Sequence, residues 1–366
     1  MKPVPMSFRK WQIETYSGPL TLVTVNEKPK PGPNQLLLKV LATDSTYTDC
    51  LVLSGNYPIK LSFPITPGYD CVAIVESIGE DVSSFSVNDI VISMPKHGCA
   101  SEFTLVSTKD ATIINSSLAK QYILDKPEIA TSIGLTGITA YQMLHRVMGE
   151  KRLNAPNSAI LVQAAAGGTG AMLCQLAKIA GLIEKGRIVG TCSRKNMNKL
   201  SDMGIVPICY EDADFFQQAV AASPGGKGFD AVFDSVSTNE YYCKGVASLK
   251  PKGIYCYIGF TDKKKPGIFP MEAGLVIFQS FVRGFLHFFF GAAEATMYLV
   301  TSSRDANPQQ FDDDVRTLID MTATGVLNPV IGKIWSFEKV NEALQSIRDG
   351  NHTGKQNILV TRPQRD

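Results

Sequence analysis

The chain has 366 residues, 44% of them hydrophobic and 19% charged, with a formal net charge of +2. That length suits two globular domains, and so small a charge argues against nucleic acid or an acidic lipid surface as partner. Eight cysteines lie scattered with no C-x-x-C pair, several inside apolar runs, which argues against a disulfide framework and predicts a reducing, cytoplasmic setting.

Met1 to Glu14 carries charges but no apolar core, so no secretory leader is expected. Short strand signals fill the region up to residue 120: Leu36–Leu41, Cys71–Ile78 and Asp89–Ser93, punctuated by Pro31-Gly32-Pro33, Gly55, Pro67-Gly68 and Gly79. This predicts a β-rich domain over residues 1–126. From Pro127 the pattern changes. Ile129–Met148 reads as helix interrupted at Thr136-Gly137, and a series of alternating strands and helices follows. The strands are Ala159–Val162, Arg187–Cys192, Val206–Cys209, Asp230–Asp234 and Gly253–Gly259. The intervening helices are Ala171–Ala180, Lys195–Met203, Phe215–Ala221 and Glu240–Leu249. Such alternation predicts an α/β doubly wound parallel sheet over residues 127–324. Gly274–Ala293 is the most apolar stretch, but Gln279, Arg283 and His287 inside it predict buried or interface surface and no transmembrane segment. Its rings, among them Phe278, Phe281, Phe285 and Phe288–Phe290, suit a greasy pocket or an interface. Two helical segments follow within 295–346, Phe337–Arg348 the clearer, and Asn357–Thr361 closes the chain as a strand.

The stretch Ser158 to Lys178 organises the second domain. An apolar strand runs into the glycine-rich turn Ala164–Gly170 and then a helix, the first half of a dinucleotide-binding unit. Glycines let backbone approach a pyrophosphate, and the helix start offers it unpaired N–H groups. Ala166, Gly167, Gly168, Thr169 and Gly170 are therefore candidate cofactor contacts. The second strand ends in Ser193-Arg194-Lys195 where an NAD-selective site would carry a carboxylate. A hydroxyl and two cations instead suit a 2′-phosphate, which predicts NADPH. Ser235, Val236, Gly259 and Phe260 follow later strands and join the cofactor set. Lys263-Lys264-Lys265 reads as solvated surface.

At this point the chain resembles the medium-chain dehydrogenase/reductase superfamily, and within it the zinc-free quinone-oxidoreductase-like branch. The resembling stretches are Pro67-Gly68-Tyr69-Asp70, Gly134 to Tyr141, Ala164 to Gly170, Phe233 to Val236, and Gly354-Lys355-x-Asn357 to Val360. The resemblance implies a GroES-like β-rich domain, 1–126, completed by 325–366, and a Rossmann domain, 127–324, that holds NADPH. It adds Thr139 and Asn357 to the cofactor contacts and implies a homodimer.

Zinc-dependent members of the superfamily have a cysteine where this chain has Thr46, and a histidine–glutamate pair where it has Tyr69-Asp70. No tetrahedral ligand set is visible, so no metal is expected. The quinone-oxidoreductase branch has an Asn near Thr46, and a Tyr and an Arg at Leu51 and Leu53. This chain keeps Asp49, Gly55 and Tyr57 but not those three. The groups left to orient or protonate a substrate are Tyr47, Tyr69 and Thr46, with Tyr57 shaping the pocket mouth. The expected activity is zinc-independent hydride transfer from NADPH to a quinone or an α,β-unsaturated carbonyl. The alternative is a protein of the same fold that binds NADPH as a sensor or adaptor with little or no turnover.

Overall fold

A computed structural model describes residues 7–57, 60–184, 187–258, 276–283, 292–350 and 352–362. The chain forms two compact units, Met1–Thr136 with Gln309–Asp366, and Gly137–Pro308.

The first unit opens with an antiparallel hairpin, β1 (Phe8–Gln12) and β2 (Thr21–Val25). Next come β3 (Gln35–Ser45), β4 (Cys71–Ile78), β5 (Ile90–Ser93), β6 (Phe103–Ser107) and β7 (Ala111–Ile113). The second unit supplies β8 (Ile160–Val162), β9 (Ile188–Cys192), β10 (Val206–Cys209), β11 (Phe229–Asp234), β12 (Leu249–Tyr257) and β13 (Glu294–Met297). The chain then returns to the first unit with β14 (Ile331–Ser336) and β15 (Lys355–Leu359).

In the first unit the sheet order is β14-β15-β3-β4-β5-β7, with β6 also paired to β3. The last strand lies antiparallel to β3, Asn357 opposite Asp44, so the end of the chain completes the sheet begun near its start. Helix Val340–Arg348 buries Val340, Ala343, Leu344 and Ile347, the i, i+3, i+4, i+7 stripe of an amphipathic helix, in a core with Leu36, Leu38, Val40 and Val75. Each Val, Leu or Ile side chain among them taken from water contributes about 1.5–3 kcal/mol.

The division between units falls at Thr136 and at Pro308, against 126 and 324 read from the sequence. Packing explains the difference. Asn357 of β15 donates from its amide to Glu128 O and to Ser132 Oγ, which ties residues 127–133 to the first unit's sheet. Helix Pro308–Ala323 is tied to β7 by Thr112 Oγ1 donating to Asp312 at 2.6 Å and Arg316 Nε donating to Ile113 O at 3.0 Å.

In the second unit all strand pairs are parallel and the order is β10-β9-β8-β11-β12-β13. Numbered from the unit's own first strand this is 3-2-1-4-5-6, the doubly wound order, whose connections diverge between β8 and β11. Helix Gly168–Ile179 follows β8 and buries Met172, Leu173, Leu176 and Ala177. The helix expected over Ile129–Met148 is broken at Gly134, with ψ −119°, rather than at Thr136-Gly137. Leu135 N turns there to donate to the Asp70 carboxylate, and a Cβ on Gly134 would stand 2.0 Å from that oxygen. Residues 276–283 are helical, with Phe278 and Phe281 exposed. Phe285, Phe288–Phe290, Lys263–Lys265, Gly259 and Phe260 lie outside the described residues. Among the described residues no helix is long and apolar enough to cross a membrane.

Candidate functional site

The carboxyl edge of the second unit's sheet carries the predicted cofactor residues Ala166–Gly170, Ser193–Lys195, Ser235 and Val236. After β8, Gln163 N donates to Phe233 O, and Ala164 N and Ala165 N donate to Thr191 Oγ1 and Thr191 O at 3.1 and 2.9 Å. Ala164 then takes a left-handed φ of 53°, which folds the chain back so that Gly167 N reaches Ala164 O. Gly167 caps the helix, and its carbonyl accepts the first helical bond from Ala171 N. The amides of Gly168, Thr169 and Gly170 precede that bond and so belong to the helix's unsatisfied donors. Two glycines allow the turn to sit this tightly. A Cβ on Gly170 would lie 2.5 Å from Ala164 O, and one on Gly190 would lie 2.6 Å from the Ala165 Cβ.

A narrow crevice at the point where the strand order reverses is lined by Gln163, Thr169, Gly170, Asp234, Ser235 and Ile258, with Met143 and Leu173 behind. Gln163 Oε1 accepts from Thr191 Oγ1 at 2.6 Å, while Gln163 Nε2 is buried with no partner among the described residues. Asp234 is fully buried. It accepts from Val236 N at 2.7 Å, from Ser237 N at 3.1 Å and from the Tyr255 hydroxyl, fixing the loop that carries Ser235 and Val236. Burial pushes its carboxyl above the usual range, against the pull of those bonds. Thr139 is buried in helix Leu135–Gln142.

Ser193 follows β9, and its Oγ accepts from Asn196 Nδ2 at 3.2 Å. Arg194 is exposed but not isolated: its guanidinium donates to Asp212 Oδ1 at 2.6 Å and lies 3.8 Å from Glu211 Oε2, which raises its pKa. The sequence shows no carboxylate next to Ser193-Arg194-Lys195, yet the parallel register of β9 and β10 brings two from the neighbouring strand end. Lys195 is exposed beside it.

The first unit holds the predicted substrate-side residues. Thr46 caps helix Tyr47–Ser54: its Oγ1 accepts from Asp49 N at 3.3 Å and donates to Asp49 Oδ2 at 2.7 Å, and Thr46 N donates to the same oxygen at 2.8 Å. This reciprocal capping box stabilises a helix start by roughly 1 kcal/mol. The hydroxyl that replaces the zinc-ligand cysteine is therefore engaged in holding the helix. Gly55, with φ 74°, ends it. T-x-x-D followed by a glycine was the sequence signal for this helix, which strand-oriented reading passed over. Asp49 Oδ1 accepts from Gly68 N at 2.8 Å, and burial lifts the Asp49 carboxyl to about 6. Tyr47 and Tyr57 are half-buried against the core, and Tyr69 is buried. Burial raises the Tyr57 pKa.

Beside them lies a buried charge cluster that sequence reading did not find. Lys355 of β15 pairs with Asp44 of β3, and Asp70, close enough to feel the Asp44 charge, accepts from Leu135 N. Burial, then the Asp44 charge, push the Asp70 carboxyl well above the usual range, against the pull of Lys355 and the Leu135 amide. Asn357 is wholly buried; its amide donors are spent on Glu128 O and Ser132 Oγ, and its Oδ1 has no partner among the described residues. Among the described residues, no three His, Cys, Asp or Glu side chains converge as a metal site.

Residues 32–126 match the family profile described as "Alcohol dehydrogenase GroES-like domain", and residues 207–356 the one described as "Zinc-binding dehydrogenase". The chain is 26% identical over 376 aligned positions to the synaptic vesicle membrane protein VAT-1 homolog of Danio rerio, covering 98% of this chain and 71% of that one. It is 28% identical over 225 positions to a probable quinone oxidoreductase of Schizosaccharomyces pombe, covering 60% of this chain and 62% of that one. The fold matches the solved structure of Escherichia coli quinone oxidoreductase complexed with NADPH, with a TM-score of 0.76 at 20% identity over 96% of this chain and all of that one. A GroES-like sheet followed by a doubly wound sheet defines a two-domain dehydrogenase architecture. The two profiles and these relatives make the chain similar to the medium-chain dehydrogenase/reductase superfamily, and to its quinone-oxidoreductase-like branch.

Proposed function

We propose that this chain is a zinc-independent oxidoreductase that uses NADPH to reduce a quinone or an α,β-unsaturated carbonyl. The observation that carries the reading is the turn Ala164–Gly170, whose glycines let it fold so tightly, a Cβ on Gly170 falling 2.5 Å from Ala164 O, that the amides of Gly168, Thr169 and Gly170 stand together unsatisfied at the helix start. The residues fit such a group. Gly168, Thr169 and Gly170 offer amides to a pyrophosphate, the buried Gln163 Nε2 offers a donor in the adjoining crevice, and Arg194 with Lys195 offers cations to a 2′-phosphate. NADPH, when bound, supplies a hydride to the substrate.

In the first unit, Tyr57 and Tyr69 are the proton sources, since Thr46 is committed to its helix cap. A tyrosine hydroxyl held in an apolar setting donates to a developing enolate or quinol oxygen and keeps its proton at neutral pH. Zinc independence rests on the donor set: Thr46 and Tyr69-Asp70 stand where zinc-dependent relatives place ligands, and Asp70 accepts from Leu135 N.

The test is NADPH oxidation against a panel of quinones and enals. Turnover that survives chelation and falls at least tenfold in kcat in Tyr57→Phe or Tyr69→Phe, with NADPH affinity unchanged, supports this reading. Tight NADPH binding with no turnover on any member would leave the second reading, an NADPH-binding sensor or adaptor. That alternative is favoured by Leu51 and Leu53, which replace polar residues of the branch on helix Tyr47–Ser54. Dimerisation and a cytoplasmic location belong to the same proposal, and size-exclusion chromatography with light scattering tests the first.

A further inference from the structure

The first unit contains a cavity of about 420 Å³ that the reduction chemistry does not use. It lies by the loop after β1, the last turn of helix Tyr47–Ser54 and helix Val340–Arg348. That is the far end of helix Tyr47–Ser54 from Thr46, about 10 Å along the axis. Ile13, Leu20 and Leu53 form an apolar wall, while Ser17, Ser54 and Arg348 supply polar groups.

Arg348 is the informative residue. Its guanidinium donates to Gln345 Oε1 at 3.4 Å, and the side chain is exposed at the rim of the cavity, whose wall includes Cys50. No carboxylate among the described residues lies within ion-pair distance of it. The nearby acids are engaged elsewhere: Asp49 with Gly68 and Thr46, and Asp349 with Gln345 Nε2. An exposed cation without a counter-ion at the rim of an apolar wall can pair with an anion whose hydrocarbon chain lies along that wall. The volume falls within the range of small-molecule sites. At roughly 30 Å³ per heavy atom, the share of a water molecule, it holds about a dozen such atoms.

We propose that this cavity binds an amphipathic anion, an aliphatic chain of about ten carbons ending in a carboxylate or phosphate, with the head on Arg348 and the chain against Ile13, Leu20 and Leu53. The proposal is independent of the cofactor reading, because every lining residue belongs to the first unit.

The test is calorimetric titration of the full chain, without NADPH, using decanoate and decyl phosphate below their micelle concentrations. Decanol and decyltrimethylammonium serve as neutral and cationic controls. Binding of one or both anions at least tenfold tighter than either control supports the proposal, and the tighter anion tells a fatty-acid source from a phospholipid-like one. Arg348→Met should cost the anions at least tenfold and leave decanol unchanged. Leu20→Trp, which fills the cavity, should abolish binding of both while circular dichroism stays native. No heat with either anion overturns the proposal, as do equal affinities for anion and cation, or wild-type affinity in Arg348→Met.

Discussion

Replacing Gly170 by alanine tests the cofactor turn at its tightest point. The added Cβ would lie 2.5 Å from Ala164 O and 2.8 Å from Ala165 Cα, where ordinary contact begins at 3.4 Å. Both obstacles are backbone, so the turn itself must open, by about 1 Å, rather than a side chain swinging away. Overpacking of this kind costs about 1–3 kcal/mol of stability. The larger effect falls on binding. The amides of Gly168, Thr169 and Gly170 move with the turn, and each hydrogen bond lost to a charged phosphate is worth about 1.5–3 kcal/mol. NADPH should therefore bind roughly ten- to a hundredfold more weakly for each bond lost. Fluorescence titration with NADPH reads the affinity and urea denaturation reads the stability. Gly181→Ala is the control: it sits at φ 98° with open space around its Cβ, so it should lose about 1 kcal/mol of stability and no affinity. If Gly170→Ala is destabilised but binds NADPH like the parent protein, the turn is not a phosphate cradle and the cofactor assignment fails.

Arg194 is held by Asp212 and Glu211, so Asp212→Asn with Glu211→Gln should tighten NADPH while leaving NADH unchanged. Arg194→Asp should weaken NADPH far more than NADH; parallel changes for the two cofactors would show that Arg194 does not read the 2′-phosphate. Lys355→Met strands Asp44 in the core and should cost about 3–5 kcal/mol in urea melts, partly restored by adding Asp44→Leu. A loss below about 1 kcal/mol would mean that the pair does not hold the strands β3 and β15 together. Asp49, raised to about 6, keeps its proton in the fold after the unfolded chain has released it near 3.8. Its contribution to stability is thus complete below pH 4 and lost as pH rises to 6. Relative to Asp49→Asn the parent should lose up to about 3 kcal/mol across that window. A flat difference between the two pH profiles would contradict the buried, protonated carboxyl.

Much of the second unit was legible in the sequence, because parallel strands buried on both faces read as short apolar runs. The helices between them carry a 3.6-residue stripe. Val206–Cys209 agrees with the reading to the residue, and the other strands of that series lie within a few residues of it. The edge strand β13 passed unread: four residues, only one of them fully buried, give too little pattern. The same holds for the hairpin β1–β2 and for β14, whose partly exposed residues share no face-long apolar alternation.

Local chemistry is what the sequence determined by itself. A glycine turn between strand and helix, a hydroxyl and two cations after the next strand, and a chain end that resembles a sheet strand are all short-range patterns. Tertiary structure alone decided which groups face each other. Glu211 and Asp212 reach Arg194 only because β10 lies parallel to β9, and Lys355 meets Asp44 only because strands more than three hundred residues apart in sequence pair in register. Charge pairing across such distances has no periodicity to betray it, since it depends on strand order and register rather than on neighbours in the chain.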